Sequence, residues 1–125
     1  MDALKGMKRS TAVITGIGTV LGGSYVSGGE EPNHVVSGGR KLFRVNIMAS
    51  VISVDGMNVT VDDGSGTLQL RSFDEEFSGI DVGDIVLVIG KPREYGGTKY
   101  IVPEVIKKIT NPNWLKLRKL QLEKE

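Results

Sequence analysis

Between residues 44 and 109 the chain is a succession of short runs rich in β-branched residues, each ended by Gly or by an Asp-Gly pair. Short alternating segments between closely spaced turn residues are an all-β pattern. Residues 44–54 (Arg-Val-Asn-Ile-Met-Ala-Ser-Val-Ile-Ser-Val) make the first strand, and Asp55-Gly56 is a hairpin signal leading into residues 57–61. Asp62-Asp63-Gly64-Ser65-Gly66 makes the next turn, and residues 67–73 the third strand. Leu68 and Leu70 fall on one side of that strand, while Gln69, Arg71 and Phe73 fall on the other. Residues 74–80 contain several helix formers and are expected to hold a short helical connection. Residues 84–91 and 99–109 are the fourth and fifth strands, with Gly96-Gly97 in the loop between them.

Five strands with a short linker after the third match the strand inventory of a five-stranded OB-fold barrel. The first strand is apolar on both faces (Val45, Ile47 and Val51 against Met48, Ile52 and Val54), as a long strand serving both sides of a barrel would be. Downstream, Asn111-Pro112-Asn113 opens a helix. Its amphipathic pattern puts Trp114, Leu117, Leu120 and Gln121 near one face and Leu115 and Leu122 on a flank. Trp114 and Leu117 are expected to reach the barrel. Upstream, residues 11–20 read as a strand, and Gly22, Gly23, Gly28, Gly29, Gly38 and Gly39 mark a Gly-rich loop. The expected organisation is an N-terminal extension (1–43) packing on the barrel, a barrel core (44–110) and a C-terminal helix (111–125).

A chain of 125 residues without Cys excludes disulfides, thiolate metal sites and a Cys nucleophile, and His34, the sole histidine, cannot form a histidine cluster. No apolar run is long enough for a membrane helix and no signal-peptide pattern opens the chain, so a cytoplasmic protein without a membrane partner is expected. Net charge is +1, unevenly spread. Asp55, Asp62, Asp63, Asp74, Glu75, Glu76, Asp81 and Asp84 face only Arg71 in the middle of the chain, whereas Lys91, Arg93, Lys99, Lys107 and Lys108 cluster later.

Gly16-Ile17-Gly18 with Gly22 suggests a dinucleotide-binding turn, but that chemistry requires a helix inside a βαβ unit, and no parallel α/β pattern follows. A twisted strand and a loop is the better reading. Asp62-Asp63 is turn chemistry, and Asp74-Glu75-Glu76 suits the start of the expected linker helix. His34 is assigned to a surface loop. No nucleophile, base or metal-ligand set is complete, so no enzyme activity, metal or cofactor is expected. Phe73, by contrast, shares a strand face with Arg71 and Gln69, and Tyr95 stands at a hairpin tip with Lys91, Arg93, Lys99 and Tyr100 nearby. Aromatics among basic residues on an exposed β face suit single-stranded nucleic acid, which stacks bases on rings and sets phosphates against Lys and Arg.

From about residue 44 onward the chain resembles the OB domain of the middle subunit of archaeal replication protein A, a single-stranded DNA-binding complex. The resemblance rests on Arg44-Val45-Asn46-Ile47, Val61-Asp62-Asp63-Gly64-Ser65-Gly66-Thr67, Leu70-Arg71-Ser72-Phe73, Gly83-Asp84, Val88-Ile89-Gly90-Lys91 and Arg93-Glu94-Tyr95. Tyr25-Val26 and Glu31-Pro32-Asn33 look like the leader of archaeal members. The resemblance implies base stacking on Phe73 and Tyr95. It also implies assembly with other subunits through the helix carrying Trp114, Leu115, Leu117, Leu120 and Leu122, in DNA replication, repair and recombination. Family members commonly continue into a winged-helix domain, which is not expected here because the chain stops after one helix. Two other readings stand beside this one: a scaffold subunit with weak DNA affinity, and an RNA-binding OB domain.

Overall fold

The computed structural model describes residues 11–123; those parts of the expected extension and helix that involve residues 1–10 and 124–125 lie outside the described residues. In chain order the elements are β1 (Val13–Ile14), α1 (Ile17–Leu21), β2 (Ser24–Val26), β3 (His34–Ser37), β4 (Arg40–Leu42), β5 (Val45–Asp55), β6 (Asn58–Asp62), β7 (Thr67–Arg71), β8 (Ile85–Tyr95), β9 (Thr98–Lys108) and α2 (Asn113–Glu123). Pairing runs from β5 through β6, β7, β9 and β8, and a further β8–β5 ladder returns to the first strand. The β7–β9 pairing is parallel, at Gln69↔Tyr100 and Leu70↔Ile101, and the other four are antiparallel.

The double-sided apolarity of β5 has a direct cause. Its first half, Val45 to Ser50, pairs with β8, and its second half, Ser50 to Asp55, pairs with β6. A register shift between Val51 and Ser53 leaves Ile52 as the extra residue, the kind of bulge that bends a strand between two directions. Val45, Ile47, Met48, Ala49 and Val51 are all buried. Val45, Ile47, Ala49 and Val51 meet Val59, Val61, Leu68, Leu70, Val86, Val88 and Ile101 from the other four strands, each projecting inward by strand alternation, while Met48 is buried with the opposite parity. Burying a Val, Leu or Ile side chain of this kind contributes about 1.5–3 kcal/mol.

The region before β5 departs from the sequence expectation. Only Val13–Ile14 is a strand, pairing in parallel with Val45 and Asn46, and the next residues wind into α1. Residues 24–42 are no loop: β2, β3 and β4 form a separate antiparallel sheet. Gly38 and Gly39, both at positive φ, make the tight turn between β3 and β4. Ile17, Val20, Val35 and Leu42 join the same core as the five large strands. His34 is buried rather than in a surface loop; its Nδ1–H donates to the Pro32 carbonyl at 2.8 Å, and its ring centroid lies 4.6 Å from that of Phe43. Glycine content signalled turns correctly but hid the short strands between them.

α1 is held at its start by the β6–β7 turn. The Ile17 amide donates to the Asp63 carboxylate (2.9 Å) and the Gly18 amide to the Ser65 hydroxyl (2.8 Å), so two unpaired helix donors are satisfied from a distant loop. A Cβ on Gly18 would lie 2.8 Å from the Ser65 carbonyl oxygen, so the close approach requires glycine. The Gly16-Ile17-Gly18 segment thus opens a helix, with Gly16 as its N-cap, contrary to the loop expectation. The helix has five residues, and its first amides are already occupied.

Two further expectations change. Residues 72–84 contain turns and bends but no helix, so Asp74-Glu75-Glu76 lies in an irregular connection. On α2 the buried residue is Arg118, whose guanidinium donates to the Asn46 carbonyl (3.2 Å) and the Asn46 side-chain oxygen (2.9 Å). Leu115 and Leu122 are half-buried, whereas Trp114, Leu117 and Leu120 are exposed. The inward side is therefore the flank with Leu115 and Leu122 and not the face with Trp114 and Leu117, with the charge-assisted bonds of Arg118 to β5 orienting the helix.

Candidate nucleic-acid interface

Strand register brings the candidate residues together. Arg93 of β8 lies opposite Tyr100 of β9, Tyr100 opposite Gln69 of β7, and Gln69 opposite Thr60 of β6. Leu70 and Ile101, one residue on, are buried, so this row faces outward. Two residues to one side of this row on the same face come Lys91 on β8 and Arg71 on β7, the latter opposite Asn58 of β6, and two residues to the other side comes Tyr95 on β8. The contributions of Thr60 and Asn58 were not foreseen from the sequence. Nothing in their local pattern marks them, and only the pairing of β6 with β7 puts them on this face.

The aromatic geometry is graded. Phe73, just beyond the end of β7, is 68% exposed, and Tyr95, at the hairpin tip, is 78% exposed. Gly96 and Gly97, with φ of +62° and +81°, form the two-residue turn that lets Tyr95 stand at that tip. Tyr100 is half-buried: the Arg71 guanidinium carbon sits 4.5 Å from its ring centroid, and the Phe73 ring meets it edge-on at 6.2 Å and 61°. Arg71 is further steadied by donating Nε–H to the Gln69 side-chain oxygen at 3.1 Å. Phe73 and Tyr95 are open stacking surfaces. Tyr100 is the floor on which Arg71 and Phe73 rest.

The basic residues divide the same way. Lys91 is exposed. Arg93 is half-buried and donates to the carbonyls of Pro92 (2.8 Å) and Asn33 (3.3 Å), tying the hairpin to the small N-terminal sheet. Lys99 has the opposite strand parity to Tyr100 and does not share the face. Its ammonium donates to the Leu21 carbonyl at 3.2 Å, at the end of α1, and pairs with Glu94 at 3.3 Å. The expectation for Lys99 assumed that sequence neighbours of Tyr100 share its direction, which the two-residue period forbids.

Acidic groups around the face are engaged in loop structure. The Asp62 carboxyl is held below the usual carboxylate range by the Thr67 hydroxyl (2.7 Å) and the Gly64 amide (2.7 Å). Glu31 is lowered likewise by the Lys41 ammonium at 2.9 Å. Among the described residues no group of His, Cys, Asp and Glu could hold a metal ion.

Several comparisons bear on this geometry. Residues 45–109, from the start of β5 through the end of β9, match the family model described as an OB-fold nucleic acid binding domain. An uncharacterised protein of Methanocaldococcus jannaschii is 40% identical over 92 residues, covering 74% of this chain; the chain spans only 40% of that relative's length. Among solved structures, a replication protein A heterotrimer bound to single-stranded DNA superimposes with a TM-score of 0.74 at 21% identity, over 92% of this chain and 94% of the other. Yeast replication protein A bound to single-stranded DNA gives 0.68 at 26% identity, over 93% and 92%. The Stn1–Ten1 complex of S. pombe gives 0.66 at 17%, over 73% and 76%. With the family match covering more than half of the chain, the protein belongs to the OB-fold nucleic-acid-binding domain family.

Proposed function

We propose that this protein binds single-stranded DNA across the outer face of β6, β7, β8 and β9, without making or breaking a bond. Phe73 and Tyr95 stack bases, and Arg71 and Lys91 meet phosphates. Arg93 orients the hairpin while presenting its remaining guanidinium donors. Lys99 acts indirectly, by fixing the hairpin base to α1. The observation that carries this reading is the exposure of Phe73 and Tyr95 on a face that also presents Arg71 over Tyr100. Exposed rings beside basic side chains on a sheet face are the groups on which single-stranded bases stack while their phosphates meet the cations. OB-fold domains use this part of the sheet and this hairpin for oligonucleotides.

In the same proposal the protein is one subunit of a replication-protein-A-like complex serving replication, repair and recombination, and partner subunits contact the outward face of α2. Trp114, Leu117 and Leu120 are exposed there, while Leu115 and Leu122 help seat the helix on its own domain. That exposed stripe is also what favours the second reading, a scaffold subunit with feeble DNA affinity of its own.

Titration with labelled oligo-dT, duplex DNA and RNA at two salt concentrations tests the proposal. Preferential, salt-sensitive binding of oligo-dT supports it. Equal or tighter binding of RNA transfers the site to RNA, and absence of binding to all three leaves the scaffold.

A further inference from the structure

Immediately beyond Phe73 the outer surface changes character. β9 pairs with β8 along its whole length, but its pairing with β7 ends at Ile101. From Val102 to Lys108 its other edge faces the 72–80 connection, and no backbone hydrogen bond joins the two among the described residues. Between them lies a groove of about 660 Å³. Its apolar surface includes Phe77, Ile80, Val102 and Ile106. Asp74, Glu75 and Glu76 rim one side, all exposed, and Glu104 stands on the other, held by Arg44 at 2.7 Å. Lys108 at the far end is itself paired with Asp84 at 3.5 Å.

These features do not suit a phosphate backbone, which three adjacent carboxylates would repel. They suit a peptide. An unpaired strand edge offers main-chain donors and acceptors, and the edge here is long enough for a strand of about 5–6 residues. Apolar side chains on alternate residues would meet Ile106, Phe77 and Ile80, which lie against the core, and basic side chains between them would face outward toward the acidic rim, on the side where the β8–β9 bulge leaves Val102. Pro103, which lacks an N–H, and Glu104 beside it guard the edge against indiscriminate pairing.

We infer that this groove is a docking site for an extended, lysine-rich segment of a partner protein, added as a strand along Val102 to Lys108. The inference does not rest on the DNA-binding proposal, since it uses the acidic connection and the edge of β9, although Arg71 and Phe73 line the end of the groove that adjoins the nucleic-acid face. It makes the molecule bipolar: a basic aromatic face for nucleic acid, ending at Phe73, and an acidic groove for protein beside it.

The test uses a fluorescein-labelled peptide of alternating lysine and valine, with an alternating glutamate and valine peptide as control, read by anisotropy on the full chain. The lysine peptide should bind and the glutamate peptide should not. The double variant Glu75→Lys, Glu76→Lys, which alters only exposed side chains, should weaken binding roughly ten-fold or more. Tyr95→Ala should leave it unchanged while weakening oligo-dT. Backbone amide shifts in ¹⁵N spectra should concentrate at Val102, Glu104 and Ile106. No binding, or binding that survives the charge reversal, overturns the inference. So does a set of shifted amides centred on Arg93 and Tyr95, which would transfer the peptide to the nucleic-acid face.

Discussion

Phe73 sits one residue past the hydrogen-bonded part of β7, where the chain leaves the sheet, and its ring makes only an edge contact with Tyr100. A ring so placed contributes little to the core. Phe73→Ala and Tyr95→Ala should each weaken binding to oligo-dT by about 1–3 kcal/mol. Melting temperature should stay almost unchanged; a large fall for Phe73→Ala would place that ring in the fold instead. Asp63 has the opposite profile. Its carboxylate accepts from the Ile17 amide at 2.9 Å and from the Ser65 amide and hydroxyl at 2.9 and 2.6 Å. Asp63→Ala should therefore cost about 0.5–2 kcal/mol of stability, as the loss of a helix cap does, without changing the intrinsic DNA site. Asp62, beside it, has a lowered pKa in the fold. Its contribution is present above the ordinary carboxylate pKa and is lost as pH falls through the lowered folded value. Acid unfolding followed by circular dichroism should accordingly be less steep in Asp62→Asn than in the unaltered protein.

At the scale of elements, each helix is seated by a contact far away in sequence. α1 contributes Ile17 and Val20 to the core and takes its first hydrogen bonds from the β6–β7 turn. α2 is oriented by Arg118, 6% exposed, against Asn46 of β5. An isolated helix of this length is marginal in water, so its place depends on that anchorage. Arg118→Ala should lower stability by about 1.5–3 kcal/mol in a denaturant titration, because it removes the charge-assisted bonds of a buried guanidinium to Asn46. Trp114→Ala and Leu117→Ala should shift stability by no more than about 0.5 kcal/mol, as exposed substitutions do. If α2 is the assembly surface, those same two changes should reduce association with partner subunits in analytical ultracentrifugation. Unaltered assembly would remove α2 from that role.

Over the whole molecule a net charge of +1 conceals two regions of opposite sign. The outer face presents the basic side chains Arg71, Lys91 and Arg93, proposed above to lie along the nucleic acid, and the neighbouring connection carries Asp74, Glu75 and Glu76. Affinity for oligo-dT should fall linearly with salt on logarithmic axes, by about 0.7 in slope for each phosphate engaged. Lys91→Ala should reduce the slope by about that amount. Lys99→Ala should leave it unchanged while lowering the denaturant midpoint, since its ammonium is bound to Leu21 and Glu94. Equal changes in slope for the two variants would show that Lys99 reaches the strand after all.

Local pattern was enough to establish the β character of residues 44–109, the turns at Gly56 and at Gly96-Gly97, and the inward direction of Leu68 and Leu70. Strand alternation and turn chemistry act over a few residues, so they are written in a few residues. The outward placement of Phe73 and Arg71 follows from the same parity. What lay beyond that range was decided by long-range pairing. The parallel match of β7 with β9 sets Arg71 over Tyr100, and no spacing within either strand specifies it. The Asp63 and Ser65 bonds to α1 turn an unpromising Gly-rich stretch into a helix, because a distant loop supplies the partners its own residues lack. His34 is buried, and Arg118 displaces Trp114 from the inward face of α2, because polar groups can be buried wherever the fold brings them a hydrogen-bond partner. Apolar periodicity registers the wish of a side chain to leave water; it carries no record of the acceptors that three-dimensional closure will place beside a polar one.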